Sequence, residues 1–330
     1  MTVTASGAEV VFTTSGTTGE PVVWLRTVDQ LRTEARLVAD TVLGPVDAVV
    51  TFAPRAHLYG HLFGEVLPSL LGVSVIDRST DPLEPPPFVP GQRTLYVCLP
   101  SSWPVLRRSL PAEADLTGSF ALHSTGPVSP ETRPVVQELT ARGLRATELL
   151  GSTETGGIAY RDLDGDPDRP WRLLPDVSLV DEPGPDGTCL LHVRSPRIAR
   201  RSDQLEPAAS HRLGDVIQPI DAQRFVLLGR SNRLVKINGR RTDLAAVEAA
   251  LAAAVPGIDA VCVAVGDPLR GEHYELFYVG DPDLDDRIAD ALAGLPKPRA
   301  VHRVDRIPRT ITGKVKIDRL FALADGVDRP

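Results

Sequence analysis

DAVVTFA at 47–53, GVSVID at 72–77, TLYVCL at 94–99 and SFALH at 119–123 are short β-type runs separated by stretches with helical patterning. Parallel strands need long crossovers, usually helices, so this alternation points to the α/β class with a mostly parallel sheet. The proline-rich STDPLEPPPFVPGQ between the second and third runs lacks the backbone donors of a regular element and is expected to be an exposed loop. From about residue 177 the runs DVSLVDE, TCLLHVRS, DVIQPI and RFVLLG follow one another without helices, the pattern of a small, more antiparallel β subdomain. Beyond Arg230 come the helical TDLAAVEAALAAA, the apolar DAVCVAVG, a second helix near 284–293 and the strand VHRVDRI, which together read as a compact α+β unit. The boundary is drawn at the polar turn Ser231-Asn232, giving domains 1–231 and 232–330.

With 330 residues, 42% apolar and 24% charged, the chain can bury a core in two domains. A net charge of −7 argues against a general nucleic-acid binder, whose affinity rests on clustered basic charge. The start MTVTASGAEVVF has no basic region leading into an apolar core, and no stretch approaches the roughly 18 apolar residues of a membrane span, so a cytoplasmic protein without membrane contact is expected. Cys98, Cys189 and Cys262 are far apart and odd in number, which fits reduced thiols better than disulfides or a metal cluster. The lysines are Lys236, Lys297, Lys314 and Lys316, all in the last third, so a lysine near chemistry stands out.

The strongest local feature is Thr13-Thr14-Ser15-Gly16-Thr17-Thr18-Gly19-Glu20-Pro21, directly after EVVF. Its hydroxyls and glycines can surround a phosphate without a steric penalty from Cβ atoms, although without a lysine it is no Walker A loop. Taken alone, a flexible Ser/Thr/Gly segment explains it equally well. Leu150-Gly151-Ser152-Thr153-Glu154-Thr155-Gly156-Gly157 puts hydroxyls beside a carboxylate in a glycine-rich turn, suited to a phosphate oxygen and Mg²⁺. Leu213-Gly214-Asp215 offers a carboxylate to paired ribose hydroxyls, Gly229-Arg230 ends the last strand before the boundary, and Gly313-Lys314 sits in PRTITGK. HLYGH at 57–61 has histidines at helical spacing but lacks the glutamate of a zinc helix, so a metal role is set aside.

These segments resemble, in order, the motifs of the adenylate-forming superfamily of acyl-CoA synthetases, peptide-synthetase adenylation domains and luciferases. TTSGTTGEP resembles its phosphate loop, FAPRAHLYG its aromatic-histidine segment, HSTGPVSPE its adenine-contacting turn and LGSTETGG its Gly-x-Thr-Glu motif. DGTCLLHVRSP resembles its core strand, HRLGD its ribose-binding motif, LLGRSNRLVKINGRRTDLAAVEAAL its hinge and PRTITGKVKIDRL its C-terminal lysine motif. The resemblance implies an adenylation core followed by a mobile C-terminal domain, turning about Asn232. It implies that Thr13, Thr14, Ser15, Gly16, Thr17, Thr18, Gly19, Gly151 and Ser152 serve the phosphates and that Thr153 meets the α-phosphate. Glu154 would hold Mg²⁺, Gly126 and Pro127 lie against adenine, Asp215 and Arg230 hold the ribose, His57 line and gate the acyl site, and Lys314 be the catalytic lysine. A packed His57 and a solvated Lys314 are the plainer alternatives.

The implied reaction joins a carboxylic acid to AMP at the expense of ATP, then hands the acyl group to CoA or to a carrier protein's phosphopantetheine. In the amino-acid-activating members that the chain resembles, an aspartate in this segment pairs with the α-ammonium. Phe52-Ala53-Pro54-Arg55 carries no acid, which favours an acyl or aryl acid without an α-amino group, and Arg55 either meets an extra acidic group on the substrate or turns to solvent. Three departures stand out. The phosphate loop ends in Pro21-Val22 instead of Pro-Lys, Leu213 replaces a threonine, and only a dozen residues precede the loop. A shortened N-terminal lobe is therefore expected, part of its pocket wall either absent or supplied by a partner chain or a second copy. The competing reading is a catalytically impaired relative that binds nucleotide or a partner.

Overall fold

The computed structural model describes residues 8–15, 21–126, 128, 132–163, 169–231, 233–237, 240–267, 271–281, 283–309 and 315–324. The chain forms two compact units, Met1–Leu213 with Gln218–Val226, and Gly214–Ile217 with Leu227–Pro330. Each is described by itself.

The first unit opens on an antiparallel hairpin of β1 (Glu9–Ser15) and β2 (Pro21–Thr27). The strand runs further than the sequence suggests: Thr13, Thr14 and Ser15, expected in the phosphate loop, pair with Val23, Val22 and Pro21. Helix α1 (Val28–Val42) starts at a reciprocal cap, in which Thr27 Oγ1 accepts from Gln30 N and Gln30 Oε1 accepts from Thr27 N. It buries Leu31, Ala35, Val38 and Val42, one face of a helix. Glu34 lies on the same buried face.

Next come β3 (Ala48–Thr51), β4 (Ser74–Asp77), β5 (Thr94–Cys98), β6 (Phe120–His123) and β7 (Arg145–Ser152), hydrogen-bonded in the order β4-β3-β5-β6-β7 with every pair parallel. Strands β3, β5 and β6 are buried at every position, which is why they read as continuous apolar runs and not as alternating ones. The crossovers carry α2 (Leu58–His61), continued by a π-helical turn Leu62–Val66 and α3 (Leu67–Leu71), then α4 (Trp103–Ser109) and α5 (Arg133–Ala141). The proline-rich segment is a loop, as expected, with Phe88 packed on the core beneath it.

After β7 the chain doubles back as β8 (Gly156–Asp162) and adds β9 (Trp171–Leu173), β10 (Ser178–Leu179), β11 (Cys189–Arg194), β12 (Arg200–Arg201), β13 (His211–Pro219) and β14 (Arg224–Arg230). Except for β12, which pairs with β2, these strands extend the same sheet, whose order is β10-β11-β13-β14-β9-β8-β7-β6-β5-β3-β4. The parallel portion thus passes into an antiparallel one where the helices stop.

The second unit contains the hairpin β15 (Leu234–Ile237) and β16 (Arg240–Asp243), α6 (Leu244–Ala254), β17 (Asp259–Asp267), β18 (Gly271–Val279), α7 (Leu284–Ala291), β19 (Ala300–Arg303) and α8 (Ile317–Ala324). Asp243 caps α6 by accepting from Ala245 N. Strand β18 is central in the β17-β18-β19 sheet: Tyr274, Leu276 and Tyr278 pack with residues of α6 and α7, whereas Phe277 packs with Leu320 of α8.

The described cysteines are free thiols, with Cys98 and Cys262 buried. Burial pushes Cys98 up to about 12, so it stays protonated and unreactive at neutral pH. No described helix is long and apolar enough to cross a membrane.

Candidate active site

The first unit holds a cavity of about 220 Å³, open on one side. Its apolar wall is Leu58, Tyr59, Leu62 and Phe63 together with Leu149; its polar wall is His57, Ser124, Thr125 and the turn Gly151–Thr153. Gly156 and Gly157 close it, with Glu34 behind them.

The start of α2 is placed by backbone contacts. His57 N donates to Pro54 O, leaving the imidazole exposed at the cavity. A Cβ on Gly60 would lie 2.2 Å from Pro54 O, so only glycine lets this helix approach the chain so closely. Tyr59 is buried, and its hydroxyl donates to Leu122 O at 2.5 Å, tying α2 to β6. His61 faces Glu65 at 3.2 Å, and among the described residues no group of three metal-ligating side chains exists.

The turn between β7 and β8 projects Thr153 and Glu154, both part-exposed. Thr155 N donates to Ser152 Oγ at 3.2 Å, and the Glu154 carbonyl accepts from Ala199 N at 2.7 Å. The turn backbone is thus held, and among the described residues no hydrogen bond takes the Thr153 hydroxyl or the Glu154 carboxylate. Under the turn lies a buried ion network that the motif comparison did not find. Glu34 Oε2 accepts from Arg26 Nη1 at 2.6 Å and lies 3.3 Å from Arg197 Nη1, Glu34 Oε1 accepts from Gly157 N at 2.7 Å, and Arg197 Nε donates to Asp176 at 2.7 Å. The side chains of Arg26 and Glu34 are 0% exposed. Burial pulls the Arg26 guanidinium down against the attraction of Glu34, whereas at Arg197 the carboxylates Glu34 and Asp176 outweigh burial and raise it. Gly156 has φ +72°, and a Cβ there would meet Glu34 Oε2 at 2.3 Å, so the turn requires this glycine twice over. The readable signal was an acid on the apolar face of α1.

His123, which the sequence leaves without a role, positions the next turn. It is fully buried; Trp103 Nε1 donates to its Nδ1 at 3.2 Å, which leaves the proton on Nε2, and Nε2 donates to Gly126 O at 2.8 Å. Beside it Thr125 adopts φ +77°, a costly angle for a side chain with a branched Cβ. Burial lowers the His123 pKa from 6.5 despite Glu148 and the bond to Gly126. A histidine whose folded pKa is depressed disfavours protonation in the fold. Stability is therefore full above the unfolded value near 6.5 and falls as the pH drops from there toward the folded pKa. Denaturant midpoints measured between pH 7.5 and 5.5 are expected to decline, and His123→Gln, which takes up no proton, to decline less over the same range. An identical slope in the two proteins would remove His123 as the cause.

Thus His57, Gly151, Ser152 and Thr153 come together around the cavity, Glu154 stands on the same turn, and Gly126 follows the lining residue Thr125. Thr14 accepts from Trp24 Nε1 at 3.2 Å, and Thr13 precedes it in β1. Gly16, Thr17, Thr18, Gly19, Pro127, Asn232 and Lys314 lie outside the described residues. Asp215 and Arg230 belong to the second unit, where the buried Asp215 carboxylate meets Arg230 Nε at 3.3 Å. Arg55 pairs with Asp77 at 3.0 Å.

The fold and the turn-lined cavity are those of an adenylate-forming enzyme. The chain belongs to the AMP-binding enzyme family, whose model matches residues 5–200, with the AMP-binding enzyme C-terminal domain matching 246–314. It is similar to a 4-coumarate--CoA ligase of Rhodobacter capsulatus, 29% identical over 94% of this chain and 75% of that one. A 4-coumarate--CoA ligase of Halorhodospira halophila is 30% identical over 63% of this chain and 52% of its own length, so the present chain spans only about half of that relative. In fold it is similar to ATP-bound MatB from Rhodopseudomonas palustris, with a TM-score of 0.69 and 20% identity over 96% of this chain and 68% of the other.

Proposed function

We propose that this chain activates a small carboxylic acid as its acyl adenylate, releasing pyrophosphate, and passes the acyl group to a thiol, CoA or a carrier-protein phosphopantetheine. The observation that carries this reading is the cavity walled by His57, Ser124, Thr125 and the Gly151–Thr153 turn in a chain of the AMP-binding family. The held turn presents the Thr153 hydroxyl to a phosphate oxygen, while the polar cavity wall orients the acid's carboxylate for attack. Orienting two reactants is itself a large part of the acceleration.

The donor set fits a magnesium ion that arrives with the nucleotide. Mg²⁺ usually keeps its waters and binds through one or two carboxylates plus substrate phosphates, and Glu154 supplies such a carboxylate at a part-exposed turn. The ion's chemistry is to neutralise charge on the phosphates. Glu154→Gln is expected to raise the Mg²⁺ concentration needed for half-maximal activity about tenfold, as loss of a single ligand does; an unchanged titration would make Glu154 structural.

The cavity, about 220 Å³, supports a small acid. Glu34 is the one carboxylate among the described lining residues, and its oxygens are taken by Arg26, Arg197 and Gly157. Among the described lining residues no acid is left for an α-ammonium, which supports a substrate without one. ATP–pyrophosphate exchange across a panel of short aliphatic, aryl and amino acids tests the reading. Exchange driven by small non-amino acids is expected, and none with any acid would overturn it.

A further inference from the structure

On the antiparallel side of the first unit, outside the cavity lining residues, a serine, a histidine and an aspartate stand in line across three adjacent strands. Asp181 follows β10, His192 lies in β11 and Ser210 precedes β13. Val180 N donates to His192 O at 2.9 Å, which fixes the register that puts Asp181 beside the histidine. His192 Nδ1 is 2.7 Å from Asp181 Oδ1, and His192 Nε2 is 2.9 Å from Ser210 Oγ. The second carboxylate oxygen, Asp181 Oδ2, pairs with Arg212 at 2.9 Å, so the aspartate cannot swing away.

This geometry sets the protons. The hydrogen bond from His192, backed by the Arg212 guanidinium, lowers the Asp181 pKa, so its carboxylate is ionised at neutral pH and can only accept. The shared proton therefore sits on His192 Nδ1, and in the neutral imidazole the Nε2 lone pair accepts from the Ser210 hydroxyl. The histidine side chain is 16% exposed and the aspartate 27%, screened from bulk water yet reachable. Ser210 is followed by His211, whose ring packs edge-on against Trp24 at 5.9 Å.

We propose that Ser210, His192 and Asp181 form a second nucleophilic centre that hydrolyses small activated acyl groups such as esters, thioesters or acyl phosphates. As the Ser210 Oγ–carbonyl carbon bond forms, His192 Nε2 takes the hydroxyl proton. The bond to the leaving group breaks, and the leaving group departs with the electron pair and receives that proton. Water then attacks the acyl-serine and gives a proton to His192; the Oγ–carbon bond breaks and the proton returns to Oγ. The net change is acyl donor plus water to acid plus leaving group, with no oxidant, metal or nucleotide. Asp181 acts as a positioning residue, holding the tautomer that makes His192 a base.

The test uses the whole chain without ATP, so its outcome is independent of the adenylation reading. Diisopropyl fluorophosphate, which loses fluoride as the serine oxygen bonds to phosphorus, is expected to label Ser210, as located by peptide mass spectrometry. Labelling is expected to slow about 10²-fold in His192→Asn, the usual effect of losing a general base. Hydrolysis of p-nitrophenyl acetate is expected to fall to the same level in Ser210→Ala and His192→Asn, while their circular dichroism stays that of the parent. No adduct on Ser210, an equal labelling rate in His192→Asn, or ester hydrolysis unchanged in Ser210→Ala would overturn the proposal.

Discussion

Lys314→Ala is expected to slow adenylate formation about 10²- to 10³-fold while ATP binding changes little, the usual consequence of removing one charge aimed at a transition state. Attack of a carboxylate on the α-phosphate brings two anions together, and a compact ammonium in a closed site lowers that barrier. The motive is sequence alone: Lys314 stands in TITGKVK, in a chain with four lysines, at the place of the family's C-terminal lysine motif. Single-turnover pyrophosphate release measures the step directly. A rate equal to that of the parent would take Lys314 out of the mechanism and leave the solvated lysine as the better reading.

Glu34→Ala is expected to cost about 3–5 kcal/mol of stability, because removing one partner of a buried ion pair strands the other charge. Here Arg26, 2.6 Å from the lost oxygen, is stranded, Arg197 at 3.3 Å loses one of its two carboxylates, and the Gly157 amide loses its acceptor. Arg197 keeps Asp176, so the larger share of the loss falls on Arg26. The double variant Arg26→Met/Glu34→Leu is expected to recover much of the stability, since apolar replacements of a buried pair are often neutral. Urea unfolding of the three proteins decides the matter. A Glu34→Ala midpoint equal to that of the parent would mean that water already reaches the site and the network carries no burial cost. The same experiment separates stability from function: should the folded double variant retain the cavity but lose exchange activity, the ion network also orders the Gly156-Gly157 turn.

Much of this molecule was legible in one dimension. The runs at 47–53, 94–99 and 119–123 became strands because a parallel sheet covered on both faces demands uninterrupted apolar residues, a constraint local enough to read. His57, Gly151, Ser152 and Thr153 were singled out because their segments resemble motifs of the adenylate-forming superfamily, and the folded chain gathers those four around one cavity. What the sequence could not show are relations between residues far apart in the chain. Glu34 is 123 positions from Gly157, and only the packing of α1 against β8 makes its carboxylate an acceptor instead of a misplaced charge on an apolar helix face. His123 is 20 positions from Trp103, and its tautomer follows from where that indole points. Ser210, His192 and Asp181 carry no motif; they meet because β10, β11 and β13 are neighbours in the sheet, and strand order is set by tertiary hydrogen bonding, not by any local pattern.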